Sequence, residues 1–221
     1  FHKVFREYYN FIVNDLSSFY LDVLKDRLYT YSKNSLDRRS GLFTVYLLLD
    51  DMLKQIAPIL PFTAEQAYMH FKKPNKKKSI HMEVINGDFD LYLDEKIEND
   101  FELLLSIRGN SLMALEKMRN SGEIGKSVEA DIILNPLNDE TKELLEEYKE
   151  ILNQIFIVSN VRINKETGEE FQDRKLSYAL KAEKAKGEKC ARCWLYLDTV
   201  GKDAEHPQLC EKCAEAVKSE V

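Results

Sequence analysis

Residues 187–213 read GEKCARCWLYLDTVGKDAEHPQLCEKC, and this stretch holds every cysteine of the 221-residue chain. The four fall as Cys190-x-x-Cys193 and Cys210-x-x-Cys213, with sixteen residues between the pairs. Two residues between cysteines let both thiolates of a tight turn point at one ion, and a second such turn completes a tetrahedron. Zinc suits this set because it accepts four sulfur ligands and its filled d shell imposes no geometry of its own. Two disulfides fit worse: no further cysteine staples the rest of the chain, and nothing resembles a secretory signal. A redox Cys-x-x-Cys would need only one pair. Four thiolates close the coordination sphere and leave no position for water, so the expected role is one structural zinc. His206 lies between the pairs and reads as a turn residue.

The stretch sits at the end of a longer organisation. A composition of 44% hydrophobic and 32% charged residues describes a globular chain rich in surface charge, and no apolar run approaches a membrane span. The chain opens on Phe1-His2-Lys3, already in a helical pattern, and is expected to be a fragment of something larger. Net charge is −6 but unevenly spread. Residues 1–80 carry 13 basic against 8 acidic side chains, residues 81–189 carry 15 against 24, and residues 190–221 carry 4 against 6. A basic front on an acidic body is compatible with a polyanionic partner at one end. On charge alone, ordinary solvated surface is the plainer reading.

From Phe1 to about Tyr31, apolar residues at Phe1, Phe5, Tyr8, Ile12, Leu16, Phe19, Val23 and Leu24 predict one long amphipathic helix. A break at Asn34, Ser35 and Asp37 precedes a second helix over about 38–56, with Phe43, Leu47, Leu53 and Ile56 inward and Pro58 and Pro61 ending it. Thr63-x-x-Gln66 reads as a capping box opening a third helix through Phe71. Short connections predict a helical bundle. Lys72–Lys78 is a basic surface linker, with phosphate contact as the minor alternative, and 79–85 reads as extended. A long helix is expected over about 94–120, with Ile97, Phe101, Leu104, Leu105, Leu112, Leu115 and Met118 on one face. A strand over 127–134, a helix over 138–154 capped at Asn138 or Asp139, a strand over 156–163 and another near 176–182 make a small α/β unit. The expected fold is thus mainly α, divided as a helical bundle over 1–78, an α/β unit over 79–186 and a four-cysteine zinc module over 187–221. No glycine-rich phosphate loop and no nucleophile–base arrangement stands out.

Several segments together resemble the C-terminal portion of bacterial-type isoleucyl-tRNA synthetases. They are Phe19-Tyr20-Leu21-Asp22, Lys25-Asp26-Arg27-Leu28-Tyr29, Arg38-Arg39-Ser40, the run Ala57 to Glu65 (APILPFTAE), Ile124-Gly125-Lys126-Ser127 and Lys189-Cys190-Ala191-Arg192-Cys193-Trp194. The first and fourth are similar to the anticodon-binding helical domain shared by class I synthetases for isoleucine, valine, leucine and methionine. The Cys-x-Arg-Cys-Trp knuckle, paired with Leu209-Cys210-Glu211-Lys212-Cys213, points within that group to the isoleucine enzymes. A related knuckle occurs in bacterial DNA glycosylases. Tyr68 stands where the family usually has tryptophan, and Leu42-Phe43 replaces a more polar pair.

The resemblance implies a cytoplasmic, monomeric parent ligase that attaches isoleucine to tRNA(Ile) using ATP. The ATP signatures and editing domain are absent from this sequence, so the chain is expected to bind the anticodon end of tRNA(Ile) without catalysing a reaction or binding ATP. No membrane partner is expected. Candidate RNA-binding residues are Lys25, Arg27, Arg38 and Arg39, which supply charge at one end of the first two helices. Arg192 and Trp194 add a stacking-capable pair on the knuckle. The bland alternatives are an ion pair of Arg27 with Asp22 or Asp26, and Trp194 packed beneath the zinc site. Two other functional classes stay open: a zinc-ribbon protein-interaction module, and a DNA-repair zinc module, which a bundle without a catalytic base disfavours.

Overall fold

A computed structural model describes residues 1–85 and 91–219. The chain forms two compact units, one of Phe1–Leu28 with Lys33–Leu93, the other of Tyr29–Ser32 with Asp94–Val221.

The first unit is helical. α1 (His2–Asn10), a π-helical segment (Phe11–Tyr20) and α2 (Leu21–Thr30) run without interruption, as the apolar spacing predicts. The π segment is not legible in that spacing, because the apolar steps of three and four residues continue through it at the α pitch. Fewer of its apolar residues are buried than expected: Leu16 and Leu24 are, while Phe1 and Phe5 are exposed. α3 (Leu36–Ile56) begins at Ser35, whose hydroxyl accepts from the Arg38 amide. α2 and α3 approach closely at buried Gly41, where an added Cβ would lie 2.5 Å from Leu24 Cδ1. Phe43, expected inward, is 56% exposed and lines an apolar groove of about 940 Å³ with Tyr8, Phe11, Leu47 and Met52.

α4 spans Pro61–His70, with Leu60 at its N-cap, and starts three residues earlier than the capping-box reading. Pro61 occupies its first turn, where a missing N–H costs nothing, so Thr63 lies inside the helix rather than at its cap. Leu53, Ala57, Ala64, Tyr68, Phe71 and Ile80 form the core of this unit. The segment expected to be extended contains a 3-10 turn at Ile80–Met82, opened by Ser79 Oγ accepting from the His81 amide.

In the second unit, α5 (Glu95–Asn120) is capped by the Asp94 carboxylate, which accepts from the Lys96 and Ile97 amides. Its buried stripe is Leu104, Ile107, Ser111, Leu115 and Met118, with Leu103 alongside. Leu105 and Leu112 sit one residue, about 100°, off that stripe and are exposed. A four-stranded sheet follows in the order β2-β1-β4-β3, from β1 (Ala130–Pro136), β2 (Asn160–Ile163), β3 (Glu169–Asp173) and β4 (Leu176–Lys184). β1 pairs parallel with β2 and antiparallel with β4, and its first five residues are all buried. The parallel pair requires a crossover, supplied by α6 (Asp139–Glu147) and α7 (Leu152–Phe156). Asn138 caps α6 as expected, but the single helix predicted to residue 154 is broken after Glu147. Phe156, expected in a strand, ends α7, and Ile157 at φ 57° closes it. β3 was not expected; its burial pattern is mostly exposed, so it carries little hydrophobic signal.

Candidate zinc centre and nucleic-acid interface

The tail folds around its cysteines. A two-stranded hairpin, β5 (Glu188–Lys189) with β6 (Tyr196–Leu197), carries the first knuckle between its strands. It depends on Gly187, which adopts φ +97° and whose Cβ, if present, would lie 2.6 Å from the Leu197 carbonyl carbon. Within the knuckle the Cys190 amide donates to Leu195 O at 2.9 Å and the Trp194 amide to Cys190 O at 3.0 Å. The second knuckle ends in α8 (Glu211–Lys218), with Cys210 at its N-cap and Cys213 in its first turn. There the positive end of the helix favours thiolate. Lys218 on α8 pairs with Asp203 at 2.6 Å, and the Asp203 carboxylate accepts from the His206 amide, which fixes the loop between the knuckles. His206 is thereby a turn residue.

The four sulfurs lie within 4.8 Å of one another, and those of Cys193 and Cys210 are 3.7 Å apart. A tetrahedron with Zn–S bonds of about 2.3 Å has edges of about 3.8 Å, so the spacing fits zinc. Cys190, Cys210 and Cys213 are fully buried, and the Cys210 amide donates to the Cys190 sulfur at 3.3 Å. Thiols this close share protons unequally. Hydrogen bonds to Cys210 and Cys213 push the Cys193 thiol far up, while contacts with Cys193 and Cys213 pull Cys210 down. A dication displaces the remaining protons and stabilises all four thiolates at once. The cluster indicates a structural zinc, held by a closed set of four sulfurs.

Trp194 follows the last ligand of the first knuckle. It is 57% exposed, which rules out packing beneath the metal, and it adopts φ +67°. A left-handed conformation is an outlier for a bulky residue and costs about 1–3 kcal/mol. Here it is imposed by the knuckle hydrogen bonds and by Cys193 next door. Lys126 Nζ, within Ile124-Gly125-Lys126-Ser127, stands 5.3 Å from the ring centroid, a cation–π contact that the motif alone does not signal. Arg192 turns inward instead: its guanidinium donates to Thr30 O and is half-buried. Beside it, Lys212 Nζ lies 4.6 Å from the Tyr31 ring centroid, so both knuckles touch the Tyr29–Ser32 segment.

The other four candidates lie in the first unit, around the turn joining α2 to α3. Lys25 is exposed and paired with Asp22 at 2.7 Å. Arg27 and Arg38 are half-buried, and Arg39 in the first turn of α3 is exposed. The structure brings these four to one end of the α2–α3 pair.

Residues 1–134 match the family described as "Anticodon-binding domain of tRNA ligase". The chain belongs to that family. Residues 187–216 match a second family, "Zinc finger found in FPG and IleRS", so the knuckles carry a known zinc-finger pattern. The chain is similar throughout to isoleucine–tRNA ligases. It is 40% identical over 218 residues to that of Brachyspira hyodysenteriae, covering 99% of this chain and 23% of the relative. Against that of Thermotoga neapolitana it is 41% identical over 221 residues, covering 100% and 24%. The chain therefore spans about a quarter of the length of the curated relatives it matches. The helical first unit lies wholly within the anticodon-binding match, and no described helix is long and apolar enough to cross a membrane.

Proposed function

We propose that this chain reads the anticodon end of tRNA(Ile) for a parent ligase that joins isoleucine to that tRNA with ATP. The chain itself supplies binding rather than catalysis, and the parent acts as a cytoplasmic monomer. The division of labour follows the segments expected from sequence: a basic bundle over 1–78, a connecting α/β unit over 79–186 and the zinc module over 187–221. Lys25, Arg27, Arg38 and Arg39 attract and position the phosphate backbone, which carries no sequence information. Discrimination falls to the knuckle, where Cys190, Cys193, Cys210 and Cys213 hold the zinc. Arg192 braces the turn through Thr30 and offers its remaining N–H groups, and Trp194 presents a face for a base.

The observation that carries this reading is the exposed Trp194 ring on a metal-held turn. Little conformational entropy is left for it to lose, so a stacking contact is realised almost in full. Base–aromatic stacking is worth about 1–3 kcal/mol per base. Trp194→Ala is expected to weaken tRNA(Ile) binding by that amount, with zinc content and the salt dependence of binding unchanged. Trp194 is the chain's only tryptophan, so its emission in the wild type should change on adding tRNA. Unaltered affinity in the variant, together with silent emission, overturns the assignment.

A further inference from the structure

The stretch Phe71–Ser79 contains several lysines, and the fold uses them in two ways. Lys73 and Lys76 are turned to the protein. Lys73 Nζ lies 2.7 Å from Asp50 and 3.3 Å from Glu83, with only 13% of its side chain exposed. Lys76 Nζ donates to Met69 O at 3.0 Å and stands 4.7 Å from the Tyr68 ring centroid. Lys72, Lys77 and Lys78 are exposed, and no carboxylate among the described residues pairs with them.

The acids of this region are already committed. Asp50 lies between Lys54 at 2.6 Å and Lys73 at 2.7 Å. Glu83 takes the Tyr68 hydroxyl, Lys73 and the Lys77 amide. Glu65 accepts from Ser79 Oγ at 2.8 Å and from the Ile80 amide at 2.9 Å. These same bonds pin the loop to the core. The Lys77 amide also donates to Tyr68 Oη at 3.0 Å, and both Tyr68 and Ile80 are buried. Pro74 and the left-handed Asn75, at φ 51°, set the turn between them. The backbone is thus ordered before any ligand arrives, and the three exposed ammonium groups are mounted on a fixed loop.

We propose that Lys72, Lys77 and Lys78 form a second phosphate-contacting surface, in addition to the Lys25–Arg39 cluster, for the sugar–phosphate backbone of tRNA. This rests on the tRNA reading given above. An ammonium is a compact point charge suited to phosphate oxygens and indifferent to base identity. The surface positions RNA and adds affinity without discriminating one tRNA from another.

The test titrates the full chain, its Lys72→Ala/Lys77→Ala/Lys78→Ala variant and its Arg38→Ala/Arg39→Ala variant. The probes are an isoleucine tRNA transcript and a non-isoleucine control, over about 50–200 mM salt. The triple alanine variant should flatten the slope of log affinity against log salt by about two to three units, at just under one unit per phosphate contact. It should lose affinity equally for both RNAs and keep the wild-type unfolding midpoint, because none of the three ammonium groups has a partner among the described residues. A triple substitution to arginine should retain the wild-type slope. A slope unchanged in the triple alanine variant but reduced in the Arg38/Arg39 variant overturns this surface and leaves the tRNA reading standing. Wild-type chain that shows no salt-dependent tRNA binding overturns both.

Discussion

Cys210→Ser should abolish zinc binding and unfold the tail while the helical first unit stays folded. The substitution isolates the metal. Serine serves as well as any residue at a helix N-cap, so α8 loses no capping group, and one oxygen replaces one sulfur. What disappears is a fully buried thiolate ligand. The apolar cluster of the tail consists of the cysteines themselves with Leu197, Val200 and Leu209, far too little to fold without the ion. Structural zinc contributes an apparent 10–16 kcal/mol in small modules at neutral pH, roughly, and that energy is coupled to folding. Elemental analysis should find about one zinc per wild-type chain and none in the variant. Hydrogen exchange should show protection lost over 187–219 and kept in α3. Zinc retained by the variant, or a metal-free tail that stays protected, would falsify the structural role.

The second large effect is expected at Tyr68→Ala. Tyr68 is 1% exposed at the centre of the first unit's core, and its hydroxyl joins Glu83 and the Lys77 amide. Burial, followed by the Glu83 carboxylate, pushes its phenol up to about 12, so it remains a donor throughout the physiological range. Truncating a buried aromatic side chain to alanine costs about 3–5 kcal/mol. Leaving Glu83 and the Lys77 amide without this partner adds to that loss. Tyr68→Phe removes only the hydroxyl and should cost about 1–3 kcal/mol. Urea unfolding followed in the first unit should rank the two variants in that order. Equal midpoints for Tyr68→Phe and wild type would mean that the hydroxyl network contributes nothing to stability.

Tyr68 also shows what sequence could and could not reveal. Resemblance marked it as a departure, tyrosine where tryptophan is usual, but not that its hydroxyl anchors a lysine-rich loop through an acid fifteen residues away. The zinc set was fully legible, because two Cys-x-x-Cys turns encode ligand geometry in four positions. α5 was legible for a similar reason: it is long, periodic and capped by Asp94. Its stripe was blurred because leucines sit on either side of it. β3 escaped notice because an exposed edge strand needs no hydrophobic alternation. The orientation of the knuckle was also hidden. Arg192 and Trp194 are two residues apart, yet one braces Thr30 and the other faces solvent, a difference set by the left-handed backbone at Trp194 rather than by composition. Lys126 over that ring is a contact between segments far apart in the chain, which local pattern cannot encode.

The most direct measurement compares binding of the chain to isoleucine tRNA and to the same tRNA with its anticodon nucleotides made abasic, at one salt concentration. Backbone contacts are common to both, so any difference reports base readout. Loss of a stacked base should lower affinity roughly five- to 150-fold, and the loss should vanish in Trp194→Ala. Equal affinity of wild-type chain for the two RNAs would contradict anticodon reading by the zinc-held knuckle.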